Sequence, residues 1–303
     1  MSSKHLLASI TVLCFSSGLF AQDKDLLKML NDSISVNDKH SPVTGTFKAL
    51  HIVNMQTIEA PARGALNFII MHRFGQLNSG SYNLYGLDNA TLRLGLDYGI
   101  TDRLAVGIGR SSYQKMLDAY IKYRLLRQTE GGDHNMPVSA SVIGGITDYT
   151  DINYPKGGTN YSVSYFGQLL IARKINRNLS LELSPTLLHY NLVPSAADKF
   201  DEFAIGAGAR MKITKRMSLN VEYNYLLPNQ IVSTAVHNSL SMGLDIETGG
   251  HVFQLVFSNS QGMTEPQYVG RTTESWGNGG IYFGFNISRN FNISNHAKAR
   301  KAK

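Results

Sequence analysis

The chain has 303 residues, with 17% charged residues and 28 glycines but only 8 prolines. This charged fraction lies well below the usual quarter, yet the mean hydropathy is only −0.15. Five of its seven net positive charges come from Lys4 and from four cations within 298–303, so the rest is nearly neutral and nucleic-acid binding is not expected. A low charged fraction together with a mean hydropathy near zero is expected when strands face lipid on one side and a polar interior on the other.

The first 21 residues have the organisation of a signal peptide. Lys4 supplies a short basic start, residues 6–20 are apolar and uncharged, and Ala21 is a small residue at a suitable cleavage point. A lipoprotein is the less favoured interpretation, since Leu13 stands where a small residue would have to precede Cys14. With cleavage near Ala21 the only cysteine is removed, which excludes disulfides, cysteine-based metal sites and a cysteine nucleophile from the mature chain.

Residues 22–62 form a polar segment that we place in the periplasm. A short helix is expected over 23–31, where leucines share one side. Residues 46–57 alternate like an extra strand, which we interpret as packing at or inside the base of the following domain. No stretch beyond the leader approaches the roughly twenty apolar residues that a spanning helix needs.

Strict alternation of apolar and polar residues runs through 63–291. In the hairpin at 91–111, Leu92, Leu94 and Leu96 alternate with Arg93 and glycines, and the same pattern recurs in the later segments. Short turns alternate with long loops, as in outer-membrane barrels, whose short turns are periplasmic. We predict an all-β, antiparallel, up-and-down transmembrane β-barrel of about twelve strands, with fourteen as the alternative.

The last predicted strand has alternating aromatic residues near its end. It is an ordinary amphipathic strand or a signal for the barrel-assembly machinery, carried by Phe283, Phe285, Ile287 and Phe291. The chain continues past Phe291 into a basic tail, 292–303, that we expect to be disordered.

Three sequence motifs are distinctive. They are the Ala-Pro-Ala-Arg-Gly turn at 60–64 that leads into His72, Arg73, Phe74 and Gly75, the Tyr-Gly-Ile-Thr-Asp-Arg-Leu hairpin at 98–104, and the Tyr-Phe-Gly-Phe-Asn-Ile-Ser-Arg ending at 282–289. Together they resemble the motifs of an uncharacterised family of Gram-negative outer-membrane β-barrels, a domain of unknown function. The resemblance covers most of the mature chain. It implies the fold and an outer-membrane location, and it adds no chemistry.

Charged residues of nearly balanced sign are expected to face the lumen. In an open channel they would line a path for small polar solutes, whereas in a plugged barrel they would pair across the lumen and close it. The eleven candidates are Arg93, Asp97, Asp118, Lys122, Arg124, Glu182, Arg210, Lys212, Glu222, Asp245 and Glu247.

A channel for small polar solutes is the leading functional hypothesis. The first alternative is a plugged structural barrel, or one that binds a periplasmic protein through residues 22–62 and the basic tail. An outer-membrane hydrolase with His72 as its base is less favoured, because no spaced motif accompanies this histidine. No metal or cofactor is expected, and the expected partners are membrane lipid and the barrel-assembly machinery.

Overall fold

The computed structural model describes residues 41–131, 135–152 and 161–293. The predicted leader, the helix at 23–31 and most of the basic tail lie outside the described residues. Two compact units are present. The smaller, 1–41 with 130–135, is described at only a few positions, where the Ser41 hydroxyl donates to the Glu130 carbonyl at 3.2 Å. The larger unit, 42–129 with 136–303, contains the barrel.

Fourteen strands form within the described ranges, and two of them, β1 and β6, are two-residue strands outside the barrel. In chain order they are β1 Ser41–Pro42, β2 Ala65–Gln76, β3 Ala90–Gly99, β4 Leu104–Ser111, β5 Met116–Leu126, β6 Thr129–Glu130, β7 Ser139–Tyr149, β8 Val163–Lys174, β9 Leu179–Tyr190, β10 Asp201–Lys212, β11 Met217–Leu226, β12 Ser239–Thr248, β13 His251–Ser258 and β14 Tyr282–Asn292.

The helices that the described residues form are short. The α-helix α1 spans Glu265–Gly270, and 3₁₀ segments cover Leu77–Ser79, Ser81–Gly86, Tyr113–Lys115 and Trp276–Asn278. Within the described part of the chain, no helix has the length and apolar character to cross a membrane.

The remaining twelve strands close into one antiparallel barrel, because β14 pairs with β2. At this seam Phe285 lies opposite His72 and Ile287 lies opposite Ile70. Closure pairs both edges of the sheet, which is what a lipid environment requires. The predicted twelve-stranded barrel is thus confirmed, and the fourteen-stranded alternative is wrong.

Side chains alternate across the wall as the sequence pattern predicts. Apolar side chains such as Leu94, Leu183 and Phe203 are exposed on the outer face, while their neighbours along each strand are buried. The connections at 100–103, 175–178, 213–216 and 249–250 are short and lie at one end of the barrel. We call this end periplasmic, since outer-membrane barrels have their short turns there.

The N-terminal segment, residues 46–59, is largely buried inside the barrel. Its central Ile52 and Val53 are fully buried, and the Ile52 N–H donates to the Met55 carbonyl at 2.8 Å to make a tight turn. The strand predicted at 46–57 does not form, and among the described residues its ladder contacts are limited to a bridge between His51 and Gln56. A closed barrel has no free edge for another strand, so wall side chains bind these backbone groups instead.

A second insertion comes from the connection between β13 and β14, residues 259–281. It carries α1, whose Tyr268 and Val269 are fully buried against β8, β9 and β11. These residues share one apolar cluster with Ile52 and Met55 of the N-terminal segment and with wall residues such as Leu188. The two insertions and the wall therefore pack together as one core inside the lumen.

Candidate functional site

All eleven predicted lumen residues lie on the inner side of the wall, but the N-terminal segment and the 259–281 loop occupy the space between them. Arg124, Lys212 and Glu247 are half-buried near the periplasmic end. The other eight are buried, namely Arg93, Asp97, Asp118, Lys122, Glu182, Arg210, Glu222 and Asp245. Their expected role as pore lining stays a prediction.

A buried ion pair joins β3 to β5 on the inner wall, across the intervening strand β4. The Arg93 Nε donates to Asp118 Oδ1 at 2.9 Å, and a second bond from the same guanidinium reaches Oδ2. This two-point geometry is the strongest available to an arginine and a carboxylate. Nearby, the Tyr120 hydroxyl donates to Asp97. Arg93 and Asp118 thus neutralise each other within the wall, while Asp97 is hydrogen-bonded by Tyr120 through one of its two carboxylate oxygens.

Glu222 on β11 is the main anchor of the N-terminal segment. Its carboxylate accepts the backbone N–H groups of Val53 and Asn54 at 3.0 Å and that of Met55 at 2.9 Å. Successive N–H groups that converge on one anion form a backbone nest. The buried charge is compensated by the turn itself, which fixes the depth of the segment in the lumen.

Two further wall charges hold the end of the same segment. Glu182 on β9 accepts the Ile58 N–H at 2.7 Å. Lys122 on β5 donates from its ammonium group to the carbonyl oxygens of Thr57 and Glu59, each at 3.1 Å. Backbone groups that have no strand partner are thus bound by charged side chains, as buried polar groups require.

A network of neutral and cationic side chains closes the opposite side of the turn. Arg73 on β2 is fully buried and donates to the side-chain oxygens of Asn54 and Asn286, each at 2.8 Å. The Asn286 amide donates to the Val53 carbonyl at 2.9 Å, and Gln254 donates to Ile52 at 2.8 Å. The lumen residues predicted from the sequence do not include Arg73, Gln254 or Asn286, although all three alternate with outward apolar residues.

The 259–281 loop has its own polar anchors at the external end. Arg271 pairs with the fully buried Glu202 of β10 at 2.7 Å, and its guanidinium carbon lies 3.8 Å from the centre of the Tyr190 ring. The Tyr190 hydroxyl donates to the Pro266 carbonyl at 2.8 Å. Ion pairing, cation–π contact and hydrogen bonding thus hold α1 inside the barrel.

The family motif divides between the two faces of β2. His72 lies on the outer face, where its ring stacks on Phe285 at 4.8 Å between centroids and meets the edge of Phe74 at 4.5 Å. Arg73 points inward, and Gly75 allows a close approach of Gly86, whose carbonyl oxygen would lie 3.0 Å from an added Cβ. An aromatic stack on the lipid-facing wall gives His72 a packing role.

The residues of the candidate assembly signal share that outer face. Phe283 stacks with Phe74 at 5.7 Å, Phe285 stacks with His72, and Phe291 is exposed at the end of β14. Their role in assembly stays a prediction. Across the described ranges no group of three or more His, Cys, Asp or Glu side chains is arranged to hold a metal ion.

A closed antiparallel barrel with an apolar outer wall defines a membrane β-barrel protein. Residues 47–291 match the family described as a membrane bound beta barrel domain, DUF5777, and the chain belongs to that family. This confirms the family resemblance of the sequence motifs. No curated protein matches the chain.

Solved structures of two porins and of another outer membrane protein are similar to the chain at low sequence identity. The NanC porin is 8% identical with a TM-score of 0.47, and 74% of this chain and 97% of that chain are covered. The KdgM porin is 10% identical with a TM-score of 0.45, covering 74% and 99%. OmpT from Vibrio cholerae with loop L8 deleted is 8% identical with a TM-score of 0.37, covering 77% and 100%.

Proposed function

We propose that the protein is an outer-membrane barrel that its own insertions close at rest. Passage of small polar solutes then requires displacement of the N-terminal segment or of the 259–281 loop. The observation that carries this proposal is the triple backbone contact of Glu222, which holds residues 53–55 across the lumen. A permanently open channel would leave this carboxylate to water and solute.

The polar character of these anchors supports displacement rather than permanent closure. Glu222, Glu182 and Lys122 bind the segment through hydrogen bonds that water could replace. Once the segment leaves, the same side chains would line a polar path of mixed charge. The chain upstream of the segment is held at the periplasmic end, where the Lys174 ammonium donates to the Thr44 carbonyl at 2.9 Å. A periplasmic protein that binds there could pull on the segment.

Single-channel recording in planar bilayers tests this function. The refolded mature protein should give no conductance steps. A variant that combines Glu182→Ala and Glu222→Ala should give steps, and deletion of both 46–59 and 262–271 should give larger ones. Glu247→Gln, which changes a half-buried wall carboxylate and keeps these anchors, is the matched control and should stay silent.

Each outcome decides between the hypotheses. Steps from the unmodified protein would contradict closure at rest and favour the open channel. Silence from every variant, with folding shown by heat-dependent gel migration, would contradict gating and favour a structural or partner-binding barrel. Silence of the unmodified protein together with steps from the anchor variant supports the proposal.

A further inference from the structure

The outer wall carries an apolar groove on strands β8 to β11. Ala207 and Ala209 of β10 line it. In the strand register Ala207 lies between Leu183 and Tyr223, and Ala209 lies between Leu181 and Val221. Small side chains flanked by large ones leave a cavity of about 590 Å³ on a surface that faces lipid.

Four exposed cations lie at the periplasmic end of the strands that form this groove, and we call them the basic rim. Arg173 at the end of β8 lines the groove itself and lies opposite Leu181. Arg177 is exposed in the next turn, and Lys215 and Arg216 are exposed in the turn after β10. Neither turn contains an acidic residue, and within the described ranges none of the four cations makes an ion pair.

The groove and the basic rim are close enough for one ligand to reach both. Ala209 precedes the turn at 213–216 by four residues, which is about 13 Å along an extended strand. Long basic side chains near a membrane surface keep their methylene stems in the apolar layer and their charges at the interface. A ligand with an apolar chain and an anionic head would match the whole surface.

We propose that this surface binds a phospholipid of the periplasmic leaflet that has an anionic head group. One acyl chain would lie along Ala207 and Ala209, and the phosphate would accept hydrogen bonds from the basic rim. Guanidinium groups bind phosphate oxygens through paired donors, which favours this orientation. A second copy of the barrel fits less well, because two basic rims would face each other.

Native mass spectrometry of the mature protein in detergent tests the proposal. The protein is titrated with dioleoyl phosphatidylglycerol or with dioleoyl phosphatidylcholine, which have the same acyl chains. Phosphatidylglycerol should bind at least about fivefold more tightly. Replacing all four rim cations by Gln should remove that preference. Ala207→Leu combined with Ala209→Leu should weaken binding of both lipids, because the groove is filled.

Matched controls lie on other parts of the wall. Arg103→Gln changes a cation in a periplasmic turn across the barrel, and Ala119→Leu fills a small outward position on β5. Both controls should leave the preference unchanged. Equal binding of the two lipids by the unmodified protein, or a preference that survives the rim substitutions, would overturn the proposal. So would competition by free glycerol phosphate, or a dimer that the groove-filling variant abolishes.

Discussion

Met55 and Glu222 are separated by 167 residues in the chain, yet the Met55 N–H donates to the Glu222 carboxylate at 2.9 Å inside the barrel. Val53 and Asn54 donate to the same carboxylate. Because three donors share one acceptor, removing it leaves three buried N–H groups without a partner. Because each unpaired buried N–H group costs free energy, the position of the inserted segment depends strongly on Glu222.

Replacement of Glu222 by alanine should loosen the N-terminal segment while the barrel stays folded. We expect a loss of about 2 kcal/mol or more in local stability, which corresponds to amide exchange about 30-fold faster at residues 53–55. Hydrogen exchange followed by mass spectrometry on the refolded protein measures this change. Peptides from β2 and β14 should keep their protection.

Glu247→Ala is the comparison for that variant. Glu247 also contacts the N-terminal segment, through an ion pair with the exposed Lys48 at 2.9 Å. Its other ion pair, with the buried Arg210 at 3.1 Å, joins two wall strands and does not involve the segment. Exposed ion pairs contribute little, so exchange at 53–55 should change by less than about fivefold. Equal effects of the two substitutions would contradict the anchoring role of Glu222.

Gly208 on β10 gives a second way to disturb the inserted segment, this time by volume. A Cβ added at Gly208 would lie 2.1 Å from the Cδ1 of Ile52. An alanine could be accommodated by a shift of the isoleucine end, whereas Gly208→Leu should displace the turn. We expect faster exchange at 52–55 and conductance steps in planar bilayers.

The matched control for that substitution is Gly144→Leu. Gly144 is exposed on the outer face, and an added Cβ there would meet no atom within 4 Å. This variant should give no conductance steps, and residues 52–55 should keep their protection from exchange. If Gly208→Leu also gives no conductance steps and no faster exchange at 52–55, the close packing of Ile52 against Gly208 would be contradicted.

The barrel wall was predictable from the sequence because each strand carries its own local signal. Leu92, Leu94 and Leu96 alternate with polar residues whatever their neighbours are, and the short turns set the order of the strands. The twelve strands and their inner charges follow from this period. The neighbour of the last strand was also predictable, since an apolar outer wall leaves no free edge.

The contents of the lumen were harder to predict from the sequence than the wall. Residues 46–57 alternate like a strand, and this pattern predicted that they pack at or inside the barrel. They form a tight turn there and not the predicted strand. The 259–281 loop has no alternating pattern that would predict its insertion, although Met263, Tyr268 and Val269 within it are buried apolar residues. Arg73 was noted only as part of a motif. Contacts such as Arg73 with Asn54 depend on pairing between distant segments, which no local period encodes.

The buried pair of Arg93 and Asp118 should matter for barrel stability. Asp118→Ala would leave the Arg93 guanidinium buried without its carboxylate, and such losses typically cost about 3–5 kcal/mol. The midpoint of urea unfolding in detergent, followed by heat-dependent gel migration, should fall accordingly. The double variant Arg93→Met with Asp118→Leu removes both charges and should be more stable than the single variant. Stability losses that simply add in the double variant would contradict an energetic coupling between Arg93 and Asp118.

Asp198 links two external loops and should make their order depend on pH. Its carboxylate accepts a hydrogen bond from the Ser233 hydroxyl and the backbone N–H groups of Val232 at 2.8 Å and Ser233 at 2.9 Å. The Ser233 hydroxyl bond, followed by the backbone bonds, holds the pKa of Asp198 below its ordinary value of 3.8. The ionised form is therefore the one that the folded loops favour.

The sign of the pH effect follows from that lowered pKa. The contribution of Asp198 is fully present above pH 3.8 and is lost as the pH falls through the lower pKa of the folded state. Hydrogen exchange at 230–234, corrected for intrinsic rates, should show weaker protection in Asp198→Asn than in the unmodified protein at pH 7 and pH 5. The two proteins should converge only below pH 3.8. A difference that disappeared at pH 5 would mean that the folded pKa is raised, contrary to the contacts of this carboxylate. Asp201→Asn is the control, because Asp201 is exposed and contacts His189 outside the 230–234 loop.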